Sequence, residues 1–124
     1  MSDIKTTASF KRQYKRVRKD KSWRIVFNGT VPLKDAKGRS PWQYIVDCFI
    51  NDKKIPKYFY PHNIILSTKQ IQQIKQRLGK THVNVQGMDL HFDGHSGDHL
   101  LVYARTDAGL VYFIGIGSHS QLFR

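Results

Sequence analysis

The hydrophobic period of this chain changes once along its length, and that change limits the folds open to it. After a short opening strand at about 4–7, apolar residues up to Leu78 recur at the spacing of a helix face, and from Val83 onward they alternate as strands do. Phe10, Tyr14 and Val17 mark a first helix whose other side carries Lys11, Arg12, Lys15, Arg16, Arg18 and Lys19. Residues 24–40 contain Asn28-Gly29, Pro32 and Lys37-Gly38, which read as a hairpin or loop excursion. Ser40 and Pro41 open a second helix with Trp42, Ile45, Val46, Phe49 and Ile50 on its core face. A loop over 51–66 carries Pro56, Pro61 and His62. Ser67 with Gln70 then forms a capping box, Leu66 with Ile71 a staple, and Gly79 ends a third helix over 68–78. Val83/Val85, Met88/Leu90/Phe92, 99–104 and 110–117 read as strands, the last two joined by the turn Thr106-Asp107-Ala108-Gly109. Helices followed by strands predict an α+β fold, an antiparallel sheet of about four to five strands with helices packed on one face.

The 124 residues suit a single domain, 1–124. Met1-Ser2-Asp3-Ile4-Lys5 lacks the apolar segment of a secretory signal, and no run approaches membrane-spanning length. A lone Cys48 excludes an internal disulfide framework. The expectation is a soluble, cytoplasmic protein with no membrane partner.

The charge is lopsided. The chain carries 21 Lys and Arg against 9 acidic residues, a formal +12, and every acid is Asp. Residues 1–62 hold 15 cations and 5 Asp, a net of +10, while 63–124 hold 6 and 4, a net of +2. All six histidines lie from position 62 onward. One half is suited to gripping a polyanion or an acidic protein, the other to moving protons. By default the run 11–24 is a solvated helix face; its density favours RNA backbone binding.

The richest stretch for chemistry is His91-Phe92-Asp93-Gly94-His95-Ser96-Gly97-Asp98-His99. Imidazoles and carboxylates are metal ligands, but Gly94 and Gly97 make this a turn rather than the helix on which a His-x3-His pair shares a face. No metal and no cofactor is therefore expected. His82 and His91 read as strand-surface residues, and His99 points either way.

Asp98-His99-Leu100-Leu101-Val102-Tyr103, Thr106-Asp107, Leu110-Val111-Tyr112-Phe113 and the closing Gly117-Ser118-His119-Ser120-Gln121-Leu122-Phe123 carry a resemblance. They are similar to the YafQ branch of the RelE superfamily of bacterial toxin endoribonucleases, which has an Asp before a Leu-x-Tyr strand and ends in Gly-Thr/Ser-His-x-x-Leu-Phe. About 26 residues align well, and a weaker match runs upstream through Gln86-Gly87, His95, His62 after Pro56, and the basic first helix. The chain departs from the pattern at two places: the phosphate-steadying Arg of the last strand corresponds to Gly115, and the Trp after the Asp to His99. It also runs longer than typical members near 24–40 and 64–82.

The resemblance implies a metal-independent mRNA interferase that uses the RNA 2′-OH as nucleophile. It places His119 as general acid or base, Asp98 with His95 as its counterpart or orienting pair, and His62, the loop histidine after a Pro, among the catalytic residues as a phosphate contact. Arg105 is expected to supply the missing charge if it lies within about 10 Å of His119. Phe123 is expected to stack on a base, unless it closes the core, and Lys11, Arg12, Lys15 and Arg16 to hold the RNA backbone. Its implied partners are mRNA on the ribosome and a cognate acidic antitoxin. Two other readings stand beside it, a non-catalytic RNA- or ribosome-binding module and a metal-dependent nuclease built on 91–99.

Overall fold

A computed structural model describes residues 3–79, 84–107 and 109–123, without the side chain of Leu78. Val83, His82 and the turn residue Ala108 lie outside the described residues. A five-stranded sheet in the order β1-β5-β4-β3-β2 forms the centre. Its strands are β1 (Asp3–Thr6), β2 (His62–Asn63), β3 (Val85–His91), β4 (Leu100–Thr106) and β5 (Leu110–Gly117). The helices are α1 (Ala8–Arg18), α2 (Arg24–Asn28), α3 (Pro41–Ile50), α4 (Thr68–Leu78) and α5 (His119–Leu122). The fold is α+β, as the change of period predicts.

Three features differ from the expectation. The sheet is mixed, because β1 runs parallel to its neighbour β5 while the other pairs are antiparallel. Residues 24–28 form a short helix rather than a hairpin arm. Asp20 caps the turn Lys21–Trp23 that leads into it, and burial of Trp23 and Val26 holds it down. The sheet is also covered on both faces. Phe10, Trp23, Ile45, Phe49, Phe92, Tyr103 and Phe113 make the larger core under α1, α2 and α3. Leu66 and Ile74 meet Val102, Ala104, Tyr112 and Ile114 on the opposite face, with Ile71 and Leu122 against them, so α4 and α5 lie there.

An irregularity in the β4–β5 pairing prepares the site. Val102 is paired with Gly115 and Tyr103 with Phe113, which leaves Ile114 as an extra residue and re-aims the end of β5. Among the described residues, no helix is long and apolar enough to cross a membrane. Cys48 is buried in the larger core, and burial pushes its thiol up, away from the thiolate a nucleophile requires.

Candidate functional site

The polar groups converge on the sheet face shared by α4 and α5. Along β3, alternation sends Asp89 and His91 to one side and Met88 and Leu90 to the other, into the larger core. His62 on β2 stands directly opposite Asp89 in the antiparallel register. Its Nε2 lies 2.8 Å from Asp89 Oδ1, a contact whose angles fall outside hydrogen-bond alignment, so that buried oxygen has no hydrogen-bond partner. Asp89 is only 3% exposed. Burial holds its carboxyl above the usual carboxylate range, and the charges of His62, His91 and His119, in that order, pull it back.

Two backbone carbonyls fix the imidazoles. His62 Nδ1 lies 2.8 Å from Tyr60 O, and His91 Nδ1 3.0 Å from Gly97 O. A carbonyl only accepts, so each Nδ1 carries a proton and donates it. In a neutral His91 the lone pair is then on Nε2. Between His62 Nε2 and Asp89 Oδ1 two acceptors would otherwise face each other, and a proton or a metal ion is needed there.

Tyr60 joins these groups. It adopts the left-handed region (φ 50°, ψ 52°) that ends the turn Lys57–Phe59. Its ring lies 4.6 Å from that of His62, 5.6 Å from His91 and 4.1 Å from His95. Left-handed backbone at a tyrosine is strained, and such strain concentrates at functional sites.

The third histidine arrives on α5. Ser118 and Gln121 form a capping box, and Asp98 Oδ1 accepts the His119 backbone N–H at 2.7 Å. The carboxylate of Asp98 therefore holds the helix start rather than the imidazole. The ring of His119 lies 5.1 Å from that of Phe123, and both side chains are exposed.

Several sequence expectations fall elsewhere. His95 packs its ring against Tyr60, and Asp98 binds backbone, so the two do not form a pair. The group beside His62 is Asp89 with His91, neither of which the sequence reading favoured, although their spacing of two on a strand was the available signal. His99 is structural: Nδ1 meets Asp93 Oδ2 at 2.7 Å, Nε2 meets Ser22 O at 2.8 Å, and the ring edges Trp23 at 4.7 Å. Arg105 does not replace the missing arginine. It lies over the rings of Phe49 and Tyr103 on the opposite face. Leu100, the partner of Gly117, is five residues away along β4, roughly 16 Å.

Position 115 is itself tightly enclosed. A Cβ there would sit 3.2 Å from Leu122 and 3.3 Å from Gln13. Two residues on, a Cβ at Gly117 would stand 3.5 Å from Arg16 Nη2, which places that guanidinium beside the start of α5. Lys11 and Lys15 instead flank Tyr14 and Trp42 on the other side of α1, and Arg12 donates to Ser9 Oγ at 3.3 Å.

His62, Asp89 and His91 also satisfy the demands of a metal site. One ligand atom from each lies within 4.8 Å of the others, among the described residues. The carbonyl bonds at both Nδ1 atoms are the orienting contacts that ligand histidines make, and the unbonded Asp89 oxygen is a free donor atom. The ligand set suits zinc, copper or nickel.

The whole chain superposes on known toxin structures. Escherichia coli YafQ, in its complex with DinJ, is 22% identical with a TM-score of 0.61, each chain covered completely. The chain has the YafQ fold. A mutant of E. coli YafQ gives 20% identity and 0.61 over all of both chains. A metal-bound toxin from Helicobacter pylori gives 18% and 0.61 over 99% of this chain and all of that one. No protein-family model matches the sequence, and no curated protein does. The YafQ likeness is thus one of backbone architecture.

Proposed function

We propose that this chain is the toxin of a toxin–antitoxin pair, an endoribonuclease that cuts mRNA on the ribosome and is held silent by an acidic antitoxin. The observation that carries the reading is the gathering of His62, Asp89 and His91 beside the α5 that bears His119, on a chain with the YafQ fold from end to end. YafQ itself is seen bound to its antitoxin DinJ. A formal charge of +12 suits both RNA and an acidic partner.

RNA supplies its own nucleophile. His91, with its Nε2 lone pair free, takes the proton from the 2′-OH; that oxygen bonds to phosphorus, and the P–O5′ bond breaks. His119 gives its proton to the departing 5′-oxygen. The products are a 2′,3′-cyclic phosphate and a 5′-hydroxyl. His62, its Nε2 2.8 Å from Asp89 Oδ1, stands toward the phosphoryl oxygens, with Arg16 as the cation beside them. Arg16→Ala is expected to raise KM more than it lowers kcat, in single-turnover assays across RNA concentration, because it binds phosphate in ground and transition state alike.

The decisive test adds the protein, and its His119→Ala variant, to translating ribosomes and maps mRNA 5′ ends. Magnesium is retained, and a transition-metal chelator is present in parallel. Cleavage that survives chelation and vanishes in the variant is the expected result; an intact message throughout overturns the reading.

A second reading follows from the ligand set of His62, Asp89 and His91, in which a transition metal makes the nuclease metal-dependent. A metal there would supply Lewis acidity at phosphorus. It would also occupy the His91 lone pair. In the metal-independent reading added Zn2+ therefore suppresses cleavage, whereas loss of cleavage under the chelator establishes the metal-dependent one.

A further inference from the structure

A cleft opens beside the histidines on the same face of the sheet. α4 rises over that face, α1 and α5 flank it, and the space between them measures about 510 Å3. That is within the range of small-ligand sites, roughly 300–1,000 Å3. Val102 and Gly115 line its floor, and Val102 is the cross-strand partner of Asp89. The floor therefore starts on the strand next to the one that carries Asp89, one strand spacing of about 4.8 Å away. Ile65, 99% exposed, and Phe123, 39% exposed, stand among its walls as apolar surfaces open to solvent.

No charged side chain lines the cleft among the described residues. Its polar lining is Thr7, Ser9, Ser67 and four glutamines, and three of these, Gln13, Gln70 and Gln121, have a locked orientation. Gln13 Oε1 accepts from Ile116 N at 3.0 Å, Gln70 Oε1 from Ser67 N at 2.9 Å, and Gln121 Oε1 from Ser118 N at 2.8 Å. A backbone N–H only donates, so each amide oxygen must be the bound atom and each NH2 the free one. None of the three Nε2 groups has a hydrogen-bond partner among the described residues. An uncharged, donor-rich cleft between apolar surfaces is poorly suited to phosphate. It suits a flat ring with acceptors on its edge.

We infer that this cleft receives the nucleobase next to the scissile phosphate and selects guanine or uracil, which carry oxygen rather than an amino group at purine C6 or pyrimidine C4. Guanine offers N7 and O6 and uracil its carbonyls, whereas adenine and cytosine turn an amino group toward fixed NH2 donors. The inference rests on the ribonuclease reading. It also accounts for Gly115: a side chain there would meet Leu122 and Gln13 and fill the floor, and the phosphate cation comes from α1 through Arg16 instead.

The fold permits a clean test. Gln70 and Gln121 are the third residues of capping boxes, a position glutamate fills equally well. Gln70→Glu with Gln121→Glu keeps both helix caps and turns two donors into acceptors. Binding is read by fluorescence anisotropy in the His119→Ala background, with RNA hexamers carrying a single G, U, A or C among abasic sugars; circular dichroism checks the fold. The glutamine protein is expected to bind the G and U hexamers about tenfold tighter than the A and C hexamers. The double variant is expected to lose or reverse that ratio. Equal affinity for all four, or a ratio unchanged in the double variant, overturns the base assignment. Absence of RNA binding in every case overturns the ribonuclease reading beneath it.

Discussion

Replacing His119 with alanine is expected to slow RNA cleavage by about 10²–10⁴-fold and to leave the fold unchanged. The second half of that expectation is what makes the first interpretable. Asp98 binds the backbone N–H of residue 119, the capping box uses Ser118 and Gln121, and Leu122 packs against the smaller core, and none of these contacts passes through the imidazole. What is lost is the exposed ring beside Phe123 and its proton. Single-turnover cleavage of a short RNA measures the loss, and circular dichroism checks the fold. A second substrate assigns the direction of transfer. With sulfur in place of the bridging 5′-oxygen the leaving group departs without a proton, and His119→Ala should then cut nearly as fast as the parent. A variant equally slow on both substrates would make His119 something other than the acid. Asp98→Ala, which acts only through the position of α5, is expected to give the smaller loss, about tenfold.

The parts of this molecule that were legible in the sequence are those that local physics determines. α3 and α4 announce themselves through caps and apolar faces, and β4 and β5 through alternation around a glycine turn. What was illegible depends on contacts far apart in the chain. A two-residue strand such as β2 has no period, and its existence follows from the pairing of His62 with Asp89, 27 positions later. The apolar face of α4 shows that it packs, but not on which side of the sheet. The direction of β1 is likewise settled only by its pairing with β5.

The same division runs through the site. His62, His119 and Phe123 sit in motifs, and the structure sets the ring of Phe123 against that of His119 while His62 joins the group around Asp89. The choice of His95 and Asp98 rests on the resemblance, which matches residues along the chain and does not consider Asp89. Along a strand, spacing of two decides which groups share a face. Tyr60 left no sequence signal, since its role depends on a left-handed backbone angle. The +10 half of the chain proved less uniform than its composition implied: Arg16 stands beside the site while Lys11 and Lys15 face away.

Asp89→Asn is expected to lower cleavage by about 10²-fold or more and, at neutral pH, to make the protein more stable. The two effects share one cause. Asp89 is buried, and desolvation holds its carboxyl above the ordinary range while His62, His91 and His119 restrain the rise. An acid raised by folding binds its proton in the native state before the unfolded chain does. Native stability is therefore gained as pH falls through the folded value toward the ordinary carboxylate range, and the cost of the buried charge is present in full above it. Asparagine removes the charge and keeps the shape. Urea unfolding across acidic and neutral pH should thus show the variant ahead at neutral pH and the parent closing the gap on acidification. Asp20, whose carboxyl is held low by bonds from Ser22, gives the opposite slope, but it is common to both proteins and cancels in the difference. Catalysis falls because the carboxylate that stands 2.8 Å from His62 Nε2 becomes an uncharged amide, and the imidazole beside the phosphoryl oxygens loses the charge that faces it. A variant that is less stable at neutral pH would mean that the His62–Asp89 contact stabilises the fold. A variant that is more stable and fully active would remove Asp89 from the chemistry.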